Sequence, residues 1–200
     1  MLKIKLALIS VIMGFFVMTT AFTNANIQDN SQLLDRKTSK LIRAKNDRYF
    51  QTSEQPRIVV RTQKGIEHLT PKHLNKLHRT VFIVVGSQKK KRNVQIYSSK
   101  DLHSAFSADV RGNILRSQSE KLRSNNQKEF NVGLRFVFKA CATTIDQEYQ
   151  YALDQYDLTN DERAQITHPH RMALPIALAL VLVISGLALF LKKHSHVENK

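Results

Sequence analysis

Four consecutive cations are the first candidate for chemistry in the sequence: Lys89, Lys90, Lys91 and Arg92 follow one another in a short polar stretch. The whole chain has a formal net charge of +15, which favours anionic partners such as lipid headgroups or wall polymers. The alternative interpretation of the four cations is a solvated turn whose charges discourage pairing between sheet edges. No aromatic residue alternates with the run, so stacking on nucleic-acid bases has no support in the sequence.

The other reactive side chains are less informative. Cys141 is the sole cysteine, which excludes an internal disulfide, and it lies on an apolar stripe. That position predicts a small buried hydrophobic residue rather than a nucleophile. His73 and His78 are five residues apart and would not share a face of a helix. His194 and His196 offer too few ligands for a specific metal site.

The run of cations lies between two predicted strands. Residues 81–85 form a continuous apolar run that ends at Gly86, as in a strand covered on both faces. After the cations, Val94 and Ile96 alternate with polar residues, as in a half-buried strand. The pattern predicts a β-hairpin whose first strand is the centre of a small sheet, with the cations at its tip.

The segment before the hairpin predicts a helix, a strand and a second helix. Asn30 or Ser31 is a suitable N-cap for a helix that runs to about Lys45. Residues 57–62 form a short strand, and Thr70 is a suitable N-cap for a short helix after it. The order strand, helix, strand implies two parallel strands joined by a right-handed crossover.

The segment after the hairpin has a helical pattern. Apolar residues recur at helical spacing over residues 110–122, and Asn125 or Asn126 would cap the next helix. Residues 130–145 place apolar side chains on one face of that next helix, and the pattern continues through Tyr156. Residues 159–162 have the spacing of a capping box for a further short helix.

Two apolar segments predict where the domain is located. Residues 1–25 combine early lysines, an apolar run and small residues at its end, which is typical of a signal peptide, with an uncleaved anchor as the alternative. Residues 172–191 carry no charge and are long enough to cross a membrane. Two lysines follow, so the positive-inside rule puts residues 192–200 in the cytoplasm. The domain is therefore expected outside the cytoplasm, with a helical extension and stalk over residues 151–171.

Residues 27–149 resemble the TPM domain family, which includes thylakoid-lumen proteins and many exported or membrane-anchored bacterial proteins. The resemblance lies in the order and spacing of several pieces. These are the opening Ile27-Gln28-Asp29, the strand over residues 57–62, the hairpin over residues 81–86 and 91–97, the segment 106–115, and the final helix over residues 130–145. The resemblance implies an α/β/α sandwich, which agrees with the pattern of helices and strands.

The same resemblance has implications for chemistry. Some members of the family are reported as acid phosphatases, with a divalent metal at acidic loop residues. Asp29 and Asp109 match family aspartates and could share Mg²⁺ or Ca²⁺, although such sites normally draw more oxygen ligands. His78-Arg79-Thr80 stands where the family has Asp-Asn-Gly, and Arg79 would repel a metal. The alternative role for Asp109 is the N-cap of the helix over residues 110–122, and for Asp29 a cap or a surface position.

We therefore expect an α/β fold, an α/β/α sandwich with a small mixed sheet over residues 26–150, followed by one C-terminal transmembrane helix. The expected function is a non-catalytic interaction or assembly module of the cell envelope, anchored in the plasma membrane and lacking a cofactor. Its expected partners are the lipid bilayer and an anionic envelope polymer or another membrane protein, but not nucleic acid, which an exported domain rarely meets. The alternative is a phosphatase that depends on Mg²⁺ or Ca²⁺.

Overall fold

The computed structural model describes residues 26–89, 91–167, 181 and 183–185. The chain divides after Thr167 into two units, and of the second the structure describes only Val181 and residues 183–185, which are helical. The predicted signal peptide 1–25, the predicted tail 192–200 and most of the predicted membrane segment 172–191 lie outside the described residues. Within the described part of the chain, no helix is long and apolar enough to cross a membrane.

Four strands form one mixed sheet in the order β1-β2-β3-β4. β1 pairs in parallel with β2, and β2 in parallel with β3, whereas β3 and β4 are antiparallel. The predicted hairpin, its position beside a parallel strand and the internal place of its first strand are thus confirmed. The strands are β1 (Ile27–Asp29), β2 (Arg57–Lys64), β3 (Thr80–Gln88) and β4 (Lys91–Ser98).

Five α-helices occur among residues 26–167, together with two short 3₁₀ turns at Leu74–Lys76 and Lys100–Leu102. The longest helix, α4, carries more buried apolar side chains than any other element among the described residues. The helices are α1 (Arg36–Phe50), α2 (Ala108–Ser117), α3 (Ser119–Arg123), α4 (Gln127–Glu148) and α5 (Asn160–Thr167).

The helices pack on one face of the sheet. Side chains of β2, β3 and β4 that point toward this face share one apolar core with α1 to α4, and they are Ile58, Val60, Val81, Ile83, Val85, Val94 and Ile96. The opposite face carries a smaller cluster around Val59, Phe82 and Val84, covered by Leu69 with Leu74 and Leu77. The α/β class and the small mixed sheet are as predicted. The second face of the expected α/β/α sandwich, however, is covered by the connection between β2 and β3 rather than by an α-helix.

The prediction of a short helix capped by Thr70 is wrong for that connection, residues 65–79. Only the 3₁₀ turn Leu74–Lys76 forms there. Its preceding residue, His73, has a φ of +59°, and Gly65 and His68 are also left-handed, with φ of +91° and +52°. Left-handed residues break the repeating α-helical backbone, so the segment crosses the sheet as a loop held down by Leu69.

The first helix begins and ends later than predicted. Its N-cap is Asp35, whose carboxylate accepts a hydrogen bond from the Thr38 amide at 2.6 Å, and not Asn30 or Ser31. The helix ends at Phe50 rather than near Lys45. An Arg135 guanidinium, 3.0 Å from the Asp35 carboxylate, adds a charge partner for this cap that local sequence does not reveal.

The later helices also differ in their ends. Ser107, and not Asp109, caps α2, and its hydroxyl accepts from the Val110 amide at 3.3 Å. Asn126, one of the two predicted candidates, caps α4. The predicted continuation of α4 through Tyr156 is wrong: the helix ends at Glu148, and Gln150 adopts a φ of +56°, which reverses the chain.

The predicted capping box is confirmed, since the Thr159 amide donates to the Glu162 carboxylate at 2.9 Å and the Glu162 amide donates back to the Thr159 hydroxyl at 3.2 Å.

Candidate functional site

A buried cluster of charged side chains lies where α1 meets the end of α4. Lys45 comes from the inner face of α1, and Asp146 comes from the last turn of α4. Asp154 and Asp157 come from the loop that follows α4, and the reversal at Gln150 brings this loop back against the helix. Lys45 is 1% exposed, Asp146 1% and Asp157 3%, so the cluster is almost sealed from water.

One ammonium group serves three carboxylates in this cluster. Lys45 Nζ lies 2.6 Å from Asp146 Oδ2, 3.1 Å from Asp154 Oδ2 and 3.0 Å from Asp157 Oδ2. Arg48 Nε supports Asp154 from the exposed side at 3.1 Å. The second oxygen of Asp146, Oδ1, is buried and has no hydrogen-bond partner among the described residues.

The loop that carries the aspartates is held by its own backbone. The Asp154 amide donates to Asp157 Oδ2 at 2.7 Å, and the Tyr156 amide donates to Asp154 Oδ1 at 2.7 Å. The Leu158 amide donates to the Thr143 hydroxyl on α4 at 2.8 Å. These bonds hold the two loop carboxylates in place without the help of a ligand.

The electrostatics follow from burial and charge together. Burial alone would lower the pKa of Lys45, but hydrogen bonds to Asp146 and Asp157 outweigh it, so the pKa of the ammonium is raised. Burial raises the pKa of Asp146 to about 6, against the opposing effect of Lys45. For Asp154, the Tyr156 amide and Lys45 overcome burial and lower the pKa of the carboxyl. The cluster therefore holds a charged lysine at neutral pH, and Asp146 is easier to protonate than Asp154.

This cluster is the one group of three or more carboxylate, histidine or cysteine side chains in the described part of the chain with the spacing of a metal site. One oxygen from each aspartate lies within 4.8 Å of the others. Hard cations such as Ca²⁺ prefer oxygen ligands of this kind. Here, however, the Lys45 ammonium lies among the three oxygens, so a metal would have to displace a buried charge from the carboxylates that pair with it. The arrangement stabilises the fold rather than providing an open metal site.

Asp29, the first aspartate of the predicted metal pair, closes a loop. Its carboxylate accepts hydrogen bonds from the Leu33 and Leu34 amides, both at 3.0 Å, and from the Thr62 hydroxyl at 2.5 Å. The Thr62 hydroxyl in turn accepts from the Ser31 amide at 3.0 Å. Asp29 thus connects the end of β1 to β2 and to the loop before α1, which is the capping role that the sequence left open.

Asp109, the second aspartate of that pair, is exposed in the first turn of α2. An acidic side chain there suits the positive end of the helix dipole. Among the described residues, neither Asp109 nor Asp29 belongs to a group of three candidate ligands. Arg79, expected to repel a metal, forms an ion pair with Glu54 at 2.9 Å, and its amide donates to Asp101 at 2.7 Å.

The four cations of the hairpin divide into two kinds. Lys89 and Lys91 are exposed at the tip and form no ion pair within the described residues. Lys90 lies outside those residues. Arg92 is half-buried: its guanidinium lies 4.3 Å above the Phe130 ring and donates to the Ser124 carbonyl at 2.5 Å. Burial lowers the pKa of Arg92.

Cys141 is fully buried in the core on α4, and burial raises the pKa of its thiol. The sequence-based assignment of a structural cysteine is confirmed.

Sequence analysis missed the Lys45 cluster, although a signal was present. Lys45 follows Ile42 by three residues and precedes Tyr49 by four, which puts a lysine on the apolar face of a helix. A charge at such a position requires a buried partner.

Comparisons with known proteins give fold-level likeness alone. No protein-family profile matches the sequence, and no curated protein matches it. The structure is similar to the solution NMR structure of the N-terminal domain of a protein from P. gingivalis, at a TM-score of 0.46 and 14% identity, covering 68% of this chain and 91% of that one. It is also similar to the N-terminal domain of the cg2496 protein from Corynebacterium glutamicum, at a TM-score of 0.39 and 12% identity, covering 68% of this chain and 86% of that one. At these scores the two structures do not establish a family.

Proposed function

We propose that this chain is a membrane-anchored, extracytoplasmic interaction module of the cell envelope, a TPM-like domain that binds an anionic surface through its hairpin tip and does no catalysis. The proposal rests on the order of strands and helices, on the apolar segments 1–25 and 172–191, and on the charge of the chain. The anionic surface is the headgroup layer of the bilayer or a wall polymer beside it.

The observation that carries this proposal is the tip itself. Lys89 has a φ of +54° in the connection between β3 and β4. Glycine or asparagine usually fills such a position, because a longer side chain is strained there. A lysine at this point keeps an exposed charge beside Lys91, and neither lysine forms an ion pair with a residue that the structure describes. Strain of this kind is commonly retained at functional positions.

A phosphatase is the weaker candidate because the carboxylates already have other roles. Asp29 closes a loop through three hydrogen bonds, and Asp109 is alone at a helix start. The three clustered aspartates surround Lys45. A phosphatase of the metal-dependent kind needs carboxylates that remain available to the ion.

The experiment is co-sedimentation of the full chain with vesicles that contain an anionic lipid. Each lysine near such a surface contributes about 1 kcal/mol, so reversing Lys90 and Lys91 to Glu should weaken binding at least about tenfold. The binding should also fall as the Debye length shrinks from about 10 Å at 0.1 M salt to about 3 Å at 1 M.

The matched control reverses Lys37 and Lys40, two exposed lysines on α1. The net charge changes by the same amount in both variants, so only a local site distinguishes them. Equal loss in the two variants would mean that net charge alone drives binding and would overturn the role of the hairpin.

The proposed anchoring has a separate test. Protease added outside intact spheroplasts should digest residues 26–171 and leave a fragment that holds residues 172–200. Complete protection of the domain would contradict the proposed location.

A further inference from the structure

A cleft lined by arginines lies beside the outer edge of the sheet. It has a volume of about 260 Å³ and is bounded by residues 92–95 of β4 on one side and by α2 and α3 on the other. Its charged lining residues are Arg92, Arg116 and Arg123, one from each of these three elements. The floor includes Val94 and Leu122, which are buried.

The charges of the three guanidinium groups are not neutralised by any residue that the structure describes. None of them forms an ion pair within the described residues. Arg92 donates one bond to a backbone carbonyl, and Arg116 donates one to the Asn113 side chain at 2.5 Å. The other nitrogens of these two groups, and all those of Arg123, make no hydrogen bond to described residues. The cleft lining contains no acidic side chain.

The wall formed by β4 can add neutral donors. β4 is an edge strand that pairs with β3 only, so its outer backbone groups face the cleft without a strand partner in the described chain. Ser119, whose hydroxyl is a neutral donor, also lines the cleft. Arginine forks together with neutral donors are the groups that bind phosphate oxygens through charge-assisted hydrogen bonds.

We propose that this cleft binds a small phosphate-bearing anion, held between Arg92 on β4, Arg116 on α2 and Arg123 on α3. The site goes beyond the hairpin tip, because its three arginines line one cleft, whereas Lys89 and Lys91 are exposed at the end of the hairpin. Arg92 is held in place by Phe130 and Ser124, so at least one guanidinium is positioned before the anion arrives.

The test is titration of the full chain with inorganic phosphate, followed by calorimetry and by amide chemical shifts. The expected result is saturable binding, with shifts at residues 92–95 and 116–123. Replacing Arg116 and Arg123 together by Gln should weaken binding at least tenfold, and both side chains are exposed, so the fold should persist. The matched control replaces Arg36 and Arg43, two exposed arginines on α1, by Gln and should change the affinity less than twofold.

Two further arms identify the source of the phosphate and separate this site from the hairpin tip. Tighter binding to dissolved glycerol phosphate than to phosphatidate vesicles assigns a soluble phosphate ester, and the reverse assigns a lipid headgroup. Reversal of Lys90 and Lys91 to Glu should leave phosphate affinity within twofold. Binding that does not saturate, or that weakens equally in the cleft and α1 variants, would overturn the cleft as a site.

Discussion

Lys45 Nζ lies 2.6 Å from Asp146 Oδ2, and both side chains are 2% exposed. This contact joins α1 to α4 between residues that are 101 positions apart in the sequence. The same ammonium also holds Asp154 and Asp157, so it fixes the loop after α4 against the two helices. A single buried cation thus links three segments of the domain.

Replacing Lys45 by Met should destabilise the domain strongly. Removing one partner of a buried ion pair leaves uncompensated charge, which costs about 3–5 kcal/mol. Arg48→Met is the matched control, because Arg48 pairs with Asp154 but its side chain is 56% exposed. The loss there should stay below about 1 kcal/mol. Urea unfolding of the two variants checks this, and a loss under 1 kcal/mol for Lys45→Met would show that the cluster does not hold the fold.

The pH dependence of stability should carry a contribution from Asp146. Burial raises the pKa of this carboxyl from 3.8 to about 6 in the folded state. A raised pKa means that the folded state binds the proton more tightly, so the contribution is fully present below about pH 4 and is lost as the pH rises through 6. Asp146→Asn cannot titrate. Its free energy of unfolding, relative to the wild type, should therefore improve by about 1–3 kcal/mol between pH 4 and pH 7.

Urea unfolding at the two pH values measures this difference, and Asp154→Asn is the control. The pKa of Asp154 is lowered in the folded state, so its contribution is present above its unfolded pKa and is lost in acid. Nearly all of that change occurs below about pH 4, so the Asp154 variant should change little, relative to the wild type, between pH 4 and pH 7. An improvement of similar size in both variants would contradict the assignment of the raised pKa to Asp146.

The features predicted correctly from sequence are those that depend on neighbouring residues. The hairpin follows from the apolar run before Gly86 and the alternation after the cations, and the capping box at Thr159 follows from spacing alone. The Lys45 cluster depends on partners more than 100 residues away, and no local pattern identifies them. The start of α1 was misplaced for the same reason, because Asp35 is stabilised as a cap by Arg135 on α4.

The two aspartates proposed from family resemblance should respond differently to truncation. Asp29→Ala removes three hydrogen bonds and leaves two backbone donors without partners, so it should cost about 2–4 kcal/mol of folding free energy. Asp109→Ala removes an exposed side chain and should cost less than about 1 kcal/mol.

Addition of Mg²⁺ or Ca²⁺ to the wild-type chain tests the metal directly. An ion bound by the folded state raises the unfolding temperature in a concentration-dependent way. We expect no such rise, and no metal-dependent hydrolysis of a generic phosphate ester. A rise that disappears in Asp109→Ala, together with saturable hydrolysis, would restore the phosphatase alternative.

Replacement of Gly86 should destabilise the domain, because the lack of a side chain there lets the loop over residues 65–79 approach β3. A Cβ at this position would lie 2.5 Å from the Gly65 carbonyl oxygen, 2.8 Å from Leu69 Cδ2 and 2.9 Å from Ile66 Cα. Two of these contacts are with backbone atoms, which cannot move away as a flexible side chain can. Gly86→Ala should therefore cost about 1–3 kcal/mol through overpacking.

Gly112, inside α2, provides the opposite case for the same substitution. Its nearest neighbours are the guanidinium atoms of Arg116, at 3.4 Å or more, which is ordinary van der Waals contact. Alanine is a better helix former than glycine, so Gly112→Ala should stabilise the domain by about 0.5–1 kcal/mol. Urea unfolding of the two variants should give changes of opposite sign. If Gly86→Ala is neutral, the loop over residues 65–79 does not lie tightly on β3, and the second face of the sheet is open rather than covered.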